Sequence, residues 1–378
     1  MQLEQVEAHS FRNLEGKIAF SNGLNIFLGE NGQGKTNWLE AINVLASTRS
    51  FKTARLSEAI RFGEELAIVR GSVRQSEGIT RELQATIQAN SKAFLINSKR
   101  ISLNEYLGEL TTVVFNADEL SVVRGMPESR RKFLDNGIIS LHPPFVRTFT
   151  DYSKVIKQKN ALLQKAADGK MPLETLKTAI APWNEQLVAL ASRIHKGRTR
   201  FVDRLNEALE KKLFGREELS IRYVSSLESK GDLSNYEELL TERLLLRLQA
   251  EVVAGHTLIG PHRDDLEILF DGHDIRKYGS AGQQRSALLL LLLANISVFF
   301  ATRGEYPLIL LDDIDAELDF HRIGQLLEYL KGKTQIFATT SKPAFIEEFG
   351  SNANVIEIEK GSPVNKSESA AKPTSTLS

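Results

Sequence analysis

Gly29-Glu30-Asn31-Gly32-Gln33-Gly34-Lys35-Thr36 has the residue types and spacing of a phosphate-binding loop. Backbone N–H groups among small residues can wrap a β-phosphate, Lys35 can neutralise the β/γ oxygens, and Thr36 offers a hydroxyl to Mg2+. The alternative is a tight strand-to-helix turn with a surface lysine. Leu308 to Leu311 is wholly apolar and ends in Asp312-Asp313, the pattern of a buried parallel strand delivering an acid at its carboxyl end. Asp312 is expected to hold Mg2+, directly or through water, and Asp313 to orient or deprotonate the attacking water. Aspartate is one methylene shorter than the glutamate usual in such sites, which predicts slow hydrolysis. Gly279-Ser280-Ala281-Gly282-Gln283-Gln284-Arg285 places a hydroxyl, a glycine amide and glutamines at the start of an apolar helix. That arrangement is either a γ-phosphate site or simply a helix cap.

These residues need elements to hold them. Leu24 to Leu28 is a short apolar run ending at the loop, and Trp38, Leu39, Ile42, Leu45 and Ala46 follow at helical spacing. The loop therefore sits between a strand and a helix, the context its chemistry requires. Strands are also expected at Leu3 to Val6 and near Lys17 to Phe20. Between Ser50 and Val114 alternating stretches, Leu66 to Val73 and Leu83 to Ile87, predict an antiparallel β-rich lobe. From Tyr152 to about Arg204 charged and apolar residues interleave, predicting two long helices broken at Asp168-Gly169-Lys170-Met171-Pro172. Glu238 to Glu251 reads as a further helix, and Asp265 to Ile275 as a hairpin turning at Asp271-Gly272.

Composition narrows the partners. Lysine plus arginine equals aspartate plus glutamate, 48 each, so no global positive field advertises a nucleic-acid partner, and any DNA binding must use local patches. There are no cysteines, which removes disulfide, thiolate-metal and cysteine-nucleophile chemistry. The opening MQLEQVEAHSF lacks the charge and apolar stretch of a signal peptide, giving a cytoplasmic expectation. The leucine-rich run Ala287 to Ala301 is short for a membrane span and is expected to be a helix buried against a sheet. No membrane partner is expected.

In head domains of the ABC type an LSGGQ-like element lies between the phosphate loop and the acid pair and contacts nucleotide held by a second subunit. GSAGQQR stands in that place, and Asp315-Ala316-Glu317-Leu318-Asp319 stands where a loop would cross the dimer interface. Thr339 and Thr340 occupy the region where transporter ATPases keep a γ-phosphate-sensing histidine. Gly125-Met126-Pro127-Glu128-Ser129-Arg130-Arg131-Lys132-Phe133-Leu134-Asp135 and Thr257-Leu258-Ile259-Gly260-Pro261-His262-Arg263-Asp264-Asp265 closely resemble fingerprints of the RecF family of bacterial recombination mediators. Phe11-Arg12-Asn13-Leu14, YSKVIKQKNALL, YGSAGQQR and LLDDIDAELDFHR extend the likeness over nearly the whole chain. Ala117, in place of a usual proline, and Met126, in place of a small residue, depart from the pattern.

The resemblance implies an α/β fold: an ABC/SMC-type P-loop ATPase head with a β-rich lobe and an inserted short helical arm domain. The expected division is a discontinuous head over 1–145 and 252–360, an arm over 146–251 and a disordered tail over 361–378. It further implies ATP and Mg2+ as cofactors, an ATP-dependent homodimer, and binding to double-stranded and gapped or single-stranded DNA. RecR and RecO are its implied partners in loading RecA. Arg193, Lys196, Arg198 and Arg200, with His195, Lys154, Lys157 and Lys159, are the candidates for DNA contact. Arg130 and Arg131 serve either DNA or a nucleotide-sensing lobe, and His262 and Arg263 either a nucleotide, a second subunit or a structural turn. Two other readings remain open: an ATPase subunit powering a membrane transporter, and an ATP-gated module without turnover.

Overall fold

The thirteen residues Lys35–Ser47 form a helix that is buried on nearly every side: Trp38, Leu39, Ala41, Ile42, Val44, Leu45 and Ala46 are buried, and so are the polar Glu40 and Asn43. A helix buried this far round must be covered on more than one side. This one packs on two sheets, with Leu3, Val6 and Val69 of one and Phe27, Leu308 and Phe337 of the other in a single core. The structure is a computed structural model and describes residues 1–75, 78–210 and 218–364.

The first sheet is antiparallel, in the order Leu14–Ala19, Gln2–Phe11, Leu66–Arg74, Thr80–Gln88, Lys92–Ile96, Lys99–Arg100. It contains the expected β-rich lobe and also takes in the first two strands of the chain. The second runs Ser362–Pro363, Asn354–Glu359, Leu24–Leu28, Ile336–Thr340, Leu308–Leu311, Thr112–Phe115. Its strands are parallel except for the terminal pair, Asn354–Glu359 with Ser362–Pro363. Leu308–Leu311 is buried at all four positions, as an all-apolar strand in a covered parallel sheet should be.

Both sheets belong to one of two compact units, Met1–Ala117 with the chain from Glu305 onward; the other unit is Asp118–Gly304. The second unit holds the long helices Phe145–Ala167 and Leu173–Leu209, broken at the expected glycine-proline segment. At 1.5 Å per residue they span about 35 and about 55 Å. Glu238 to Glu251 falls on two helices, Tyr236–Leu246 and Leu248–Ala254. The Asp265–Phe270 and His273–Asp274 hairpin turns at Asp271 and Gly272, with φ 48° and 79°, the doubly positive turn that an Asp-Gly pair favours.

Three expectations are corrected. The unit boundaries differ from the expected head and arm: residues 118–145 and 252–304 group with the long helices. The physical reason is a set of buried ion pairs, Arg130 with Asp265 and Arg198 with Asp135 among them, that binds those flanking segments together and to the helices. The leucine-rich helix, Ala281–Arg303, is buried as expected, but within its unit it lies on the helices Leu120–Arg124, Pro127–Leu141 and Leu173–Leu209 rather than on a sheet. The tail does not begin at residue 361: Ser362–Pro363 pairs with Asn354–Glu359, and Val364 N donates to Glu357 O. The rest of that expected tail lies outside the described residues.

Candidate functional site

The phosphate loop leaves the carboxyl end of Leu24–Leu28 and enters Lys35–Ser47, which aims its N-terminal amides at the loop. Lys35 is 5% exposed, and its Nζ lies 2.8 Å from Gly29 O and 2.9 Å from Glu30 O, so the ammonium sits inside the loop. Surface-lysine behaviour is thereby excluded. Gly34 caps the helix at φ 106°, and a Cβ there would lie 2.9 Å from Asn13 Oδ1 and 3.1 Å from Gly361 Cα. Only glycine meets both demands.

The loop is braced by residues sequence reasoning missed. Gly361 N donates to Gln33 O at 2.7 Å, Lys360 N donates to Gln33 Oε1 at 2.6 Å, and Trp38 Nε1 donates to Gly361 O at 3.1 Å. The turn of the C-terminal hairpin thus forms a wall of the phosphate loop. A Lys-Gly pair followed by Pro363 carries a turn signal that points to this. Arg12 Nε and Nη2 donate to the buried Glu40 of the loop helix at 3.0 and 2.9 Å, and Asn37 Nδ2 donates to Asn13 Oδ1 at 2.7 Å. Phe11-Arg12-Asn13-Leu14 is therefore a brace for the loop helix.

Strand order puts three chain segments at one sheet edge. Ile336–Thr340 lies between Leu24–Leu28 and Leu308–Leu311, so Thr36, Asp312 and Thr339 meet at the carboxyl ends of the strands, where ligands bind in open α/β sheets. Thr36 Oγ1 and Thr339 Oγ1 each donate to Asp312 Oδ1 at 2.8 Å. Burial raises the Asp312 carboxyl above its ordinary value, and the two hydroxyl donors oppose that rise. Hydroxyl and carboxylate oxygens converging in this way suit Mg2+, which takes few protein ligands and completes its octahedron with water and phosphate oxygens. Among the described residues no group of three or more acidic or histidine side chains forms a cage of its own for a metal. Asp313 is exposed and holds a left-handed conformation, φ 46° and ψ 42°. Aspartate tolerates that region better than glutamate, a backbone reason for the shorter acid here. Asp315 is fixed by Thr340 Oγ1 at 3.1 Å, and Lys342 Nζ donates to Asp315 O at 2.6 Å.

Ser280 lies in the second unit, where it caps the leucine-rich helix in a reciprocal box. Gln283 N donates to Ser280 Oγ at 3.2 Å and Ser280 N donates to Gln283 Oε1 at 2.8 Å. The capping bonds are thus made, and they leave the Ser280 hydroxyl proton free to donate, so a cap and an anion site are compatible here. Ser280 and Gly282 are exposed, and the Ala281 and Gly282 amides precede the first intrahelical bond, from Gln284 N to Ser280 O.

This chain matches the family model described as the RecF/RecN/SMC N terminal domain over residues 2–363. It is 36% identical over 349 residues to the DNA replication and repair protein RecF of Lysinibacillus sphaericus, covering 90% of this chain and 93% of that protein. The chain belongs to the RecF family. The RecF of Bacillus subtilis is 34% identical over 349 residues, again covering 90% and 93%. A solved structure described as the recombination mediator protein RecF-ATP in the RecFOR pathway superposes with a TM-score of 0.85 at 30% identity, covering 96% of this chain and 97% of that one. The fold is accordingly that of the RecF/SMC-type ATPases, mixed α/β with several sheets and helices.

Within this RecF-family chain the two fingerprint segments meet in one buried network. Arg130 is fully buried, with Nε and Nη2 donating to Asp265 at 2.6 and 3.0 Å and Nη1 to Gly125 O at 2.8 Å. Arg131 Nη1 donates to Asp264 O at 2.8 Å. Arg198, 3% exposed, makes a two-pronged contact with Asp135 at 2.8 and 3.0 Å and donates to Pro261 O at 2.7 Å. Asp264 is bonded by Tyr223 OH and by Ser226 N. His262 joins Tyr152 OH at 2.7 Å and Thr257 O at 3.2 Å, which is the structural-turn reading; Arg263 remains exposed.

The DNA candidates separate on burial. Arg193, Lys196 and Arg200 are exposed and recur at i, i+3 and i+7, one face of Leu173–Leu209. Lys154 and Lys157 are also exposed. Arg198 is a correction, because its guanidinium is spent on Asp135 and Pro261. Lys159 is another: it is fully buried against the equally buried Glu251 at 2.8 Å. His195 is a third, 9% exposed and stacked on Tyr236 at 4.1 Å, with burial pushing its pKa down to about 4.

Proposed function

We propose that this chain is an ATP-gated DNA-binding switch of recombinational repair. ATP and Mg2+ bind at Gly29 to Thr36 and Asp312, with Glu30, Asn31, Gly32 and Gln33 supplying backbone amides. The Ser280–Gly282 element of one copy grips the γ-phosphate held by a second copy, and Asp313 positions the attacking water. Closing of the dimer holds DNA at gaps or single-strand/double-strand junctions against Arg193, Lys196 and Arg200. Slow, DNA-stimulated hydrolysis releases it. The chain acts in the cytoplasm with RecR and RecO to promote RecA loading.

The observation that carries this reading is the convergence of Thr36, Asp312 and the enclosed Lys35 at the carboxyl edge of the parallel sheet. Membership of a family with an ATP-bound structure described within the RecFOR pathway supports it. The test is sedimentation of wild type and Lys35→Ala with and without ATP-Mg2+ and a short gapped duplex. ATP should convert wild-type monomer to a DNA-bearing dimer and leave Lys35→Ala monomeric. A wild type indifferent to both ligands refutes the proposal.

A further inference from the structure

Thr339 carries no charge and is fully buried within Ile336–Thr340, yet its hydroxyl bridges two consecutive acidic residues of the neighbouring segment. Asp313 N donates to Thr339 Oγ1 at 2.8 Å, and Thr339 Oγ1 donates to Asp312 Oδ1 at 2.8 Å. The direction of this relay is fixed by chemistry. A backbone N–H can only donate, so the threonine oxygen accepts there and its single proton is committed to Asp312.

Two properties of the site make that bridge matter. Asp313 occupies the left-handed region, φ 46°, which is unfavourable for a residue with a Cβ. The bond from its amide to Thr339 holds the backbone there from the strand side, while Ala316 N donates to Asp313 O at 2.9 Å within the turn. Thr339 is β-branched and sits in a strand, so its χ1 is restricted and its hydroxyl is aimed before any ligand arrives. The position is next to the threonine that binds Asp315, so consecutive residues of one strand hold both ends of the acidic turn.

We propose that Thr339 is a positioning residue for nucleotide hydrolysis: its hydroxyl sets the Asp312 carboxylate and the Asp313 backbone together, fixing where the second acid stands. The proposal rests on the ATPase reading of the site. It assigns the alignment of the acid pair to a neutral side chain on the adjacent strand.

The test compares Thr339→Val, which keeps the shape and removes the hydroxyl, with Thr339→Ser, which restores it without the β-branch. Melting temperature is measured for both. In steady-state ATP turnover, Thr339→Val should lower kcat at least tenfold, about 1.4 kcal/mol of barrier, with KM within about twofold; Thr339→Ser should recover most of the loss. Amide hydrogen exchange at Asp313, followed without nucleotide, should quicken at least tenfold in Thr339→Val and stay near wild type in Thr339→Ser. Unchanged exchange at Asp313 in the valine variant overturns the proposal, as does a valine variant that turns over ATP at the wild-type rate, or a serine variant that falls as far as valine. If wild type itself shows no turnover, the ATPase reading fails, and the exchange measurement still decides whether Thr339 holds the turn.

Discussion

Replacing Gly361 by alanine tests whether the C-terminal hairpin belongs to the nucleotide site. Gly361 has φ 87°, and an added Cβ would stand 2.0 Å from Asn13 O and 2.6 Å from Asn13 C. The left-handed backbone costs an alanine about 1–2 kcal/mol, and forcing a methyl into packed backbone typically costs about 1–3 kcal/mol more. Release by peeling the turn away would break its three bonds to Gln33 and Trp38, at about 0.5–1.5 kcal/mol each. The two routes are comparable in cost, and both withdraw the wall from the phosphate loop. Gly361→Ala should therefore melt lower, by about 2–4 °C for each kcal/mol of stability removed, and bind a fluorescent ATP analogue more weakly. Lys360→Gly is the control: Lys360 has φ 50°, so glycine there relieves strain and should leave both quantities unchanged or slightly improved. A Gly361→Ala protein with wild-type melting and wild-type nucleotide affinity would refute the reasoning.

Other substitutions separate structure from ligand binding. Arg198→Ala strands Asp135 in a largely buried setting and should destabilise the second unit by about 2–4 kcal/mol in urea unfolding, less than a fully buried case because Asp135 keeps some exposure. Arg193→Ala, Lys196→Ala and Arg200→Ala should each change stability by under about 0.5 kcal/mol. Each of the three that neutralises a phosphate in the wild type should, on removal, flatten the log–log salt slope of duplex binding by about 0.9. Asp312→Asn and Thr36→Val should each abolish the Mg2+ dependence of nucleotide affinity, measured by titration with and without chelator. Burial pushes His195 and His262 down to about 4 from an ordinary 6.5, so the unfolded chain binds more protons than the folded one between those values. Stability is fully present above pH 6.5 and declines as pH falls towards 4; the decline in melting temperature should be shallower in His195→Phe, which keeps the stack on Tyr236.

The phosphate loop, the acid strand and the capped leucine-rich helix were legible because each is local: an apolar run, a turn chemistry and a periodicity, each complete within a short stretch of chain. The DNA candidates were not. Arg193 and Arg198 are the same residue type on the same helix, and what distinguishes them is Asp135, 63 positions away in sequence from Arg198. Lys159 likewise finds Glu251 only through the packing of two distant helices. The placement of Gly361 against Asn13 is longer in range still, and composition at that end of the chain suggested a tail because its apolar content fades there. Arg130 pointed to DNA or a nucleotide-sensing lobe because it stands in a fingerprint segment of the RecF family, whereas its bonds to Asp265 and Gly125 close a core.

That closed network sets a rule for exchanging parts between relatives. Three stretches of chain, around residues 125–135, 198 and 257–265, share one set of arginine–aspartate bonds. A chimaera that transplants only the two long helices would carry Arg198 to a host whose aspartate need not stand opposite, and would orphan charges on both sides of the joint. Cutting instead at Asp118 and Gly304 moves donors and acceptors together, so recombinant hybrids, and divergence itself, should tolerate crossovers there and reject them at the visible ends of the helices.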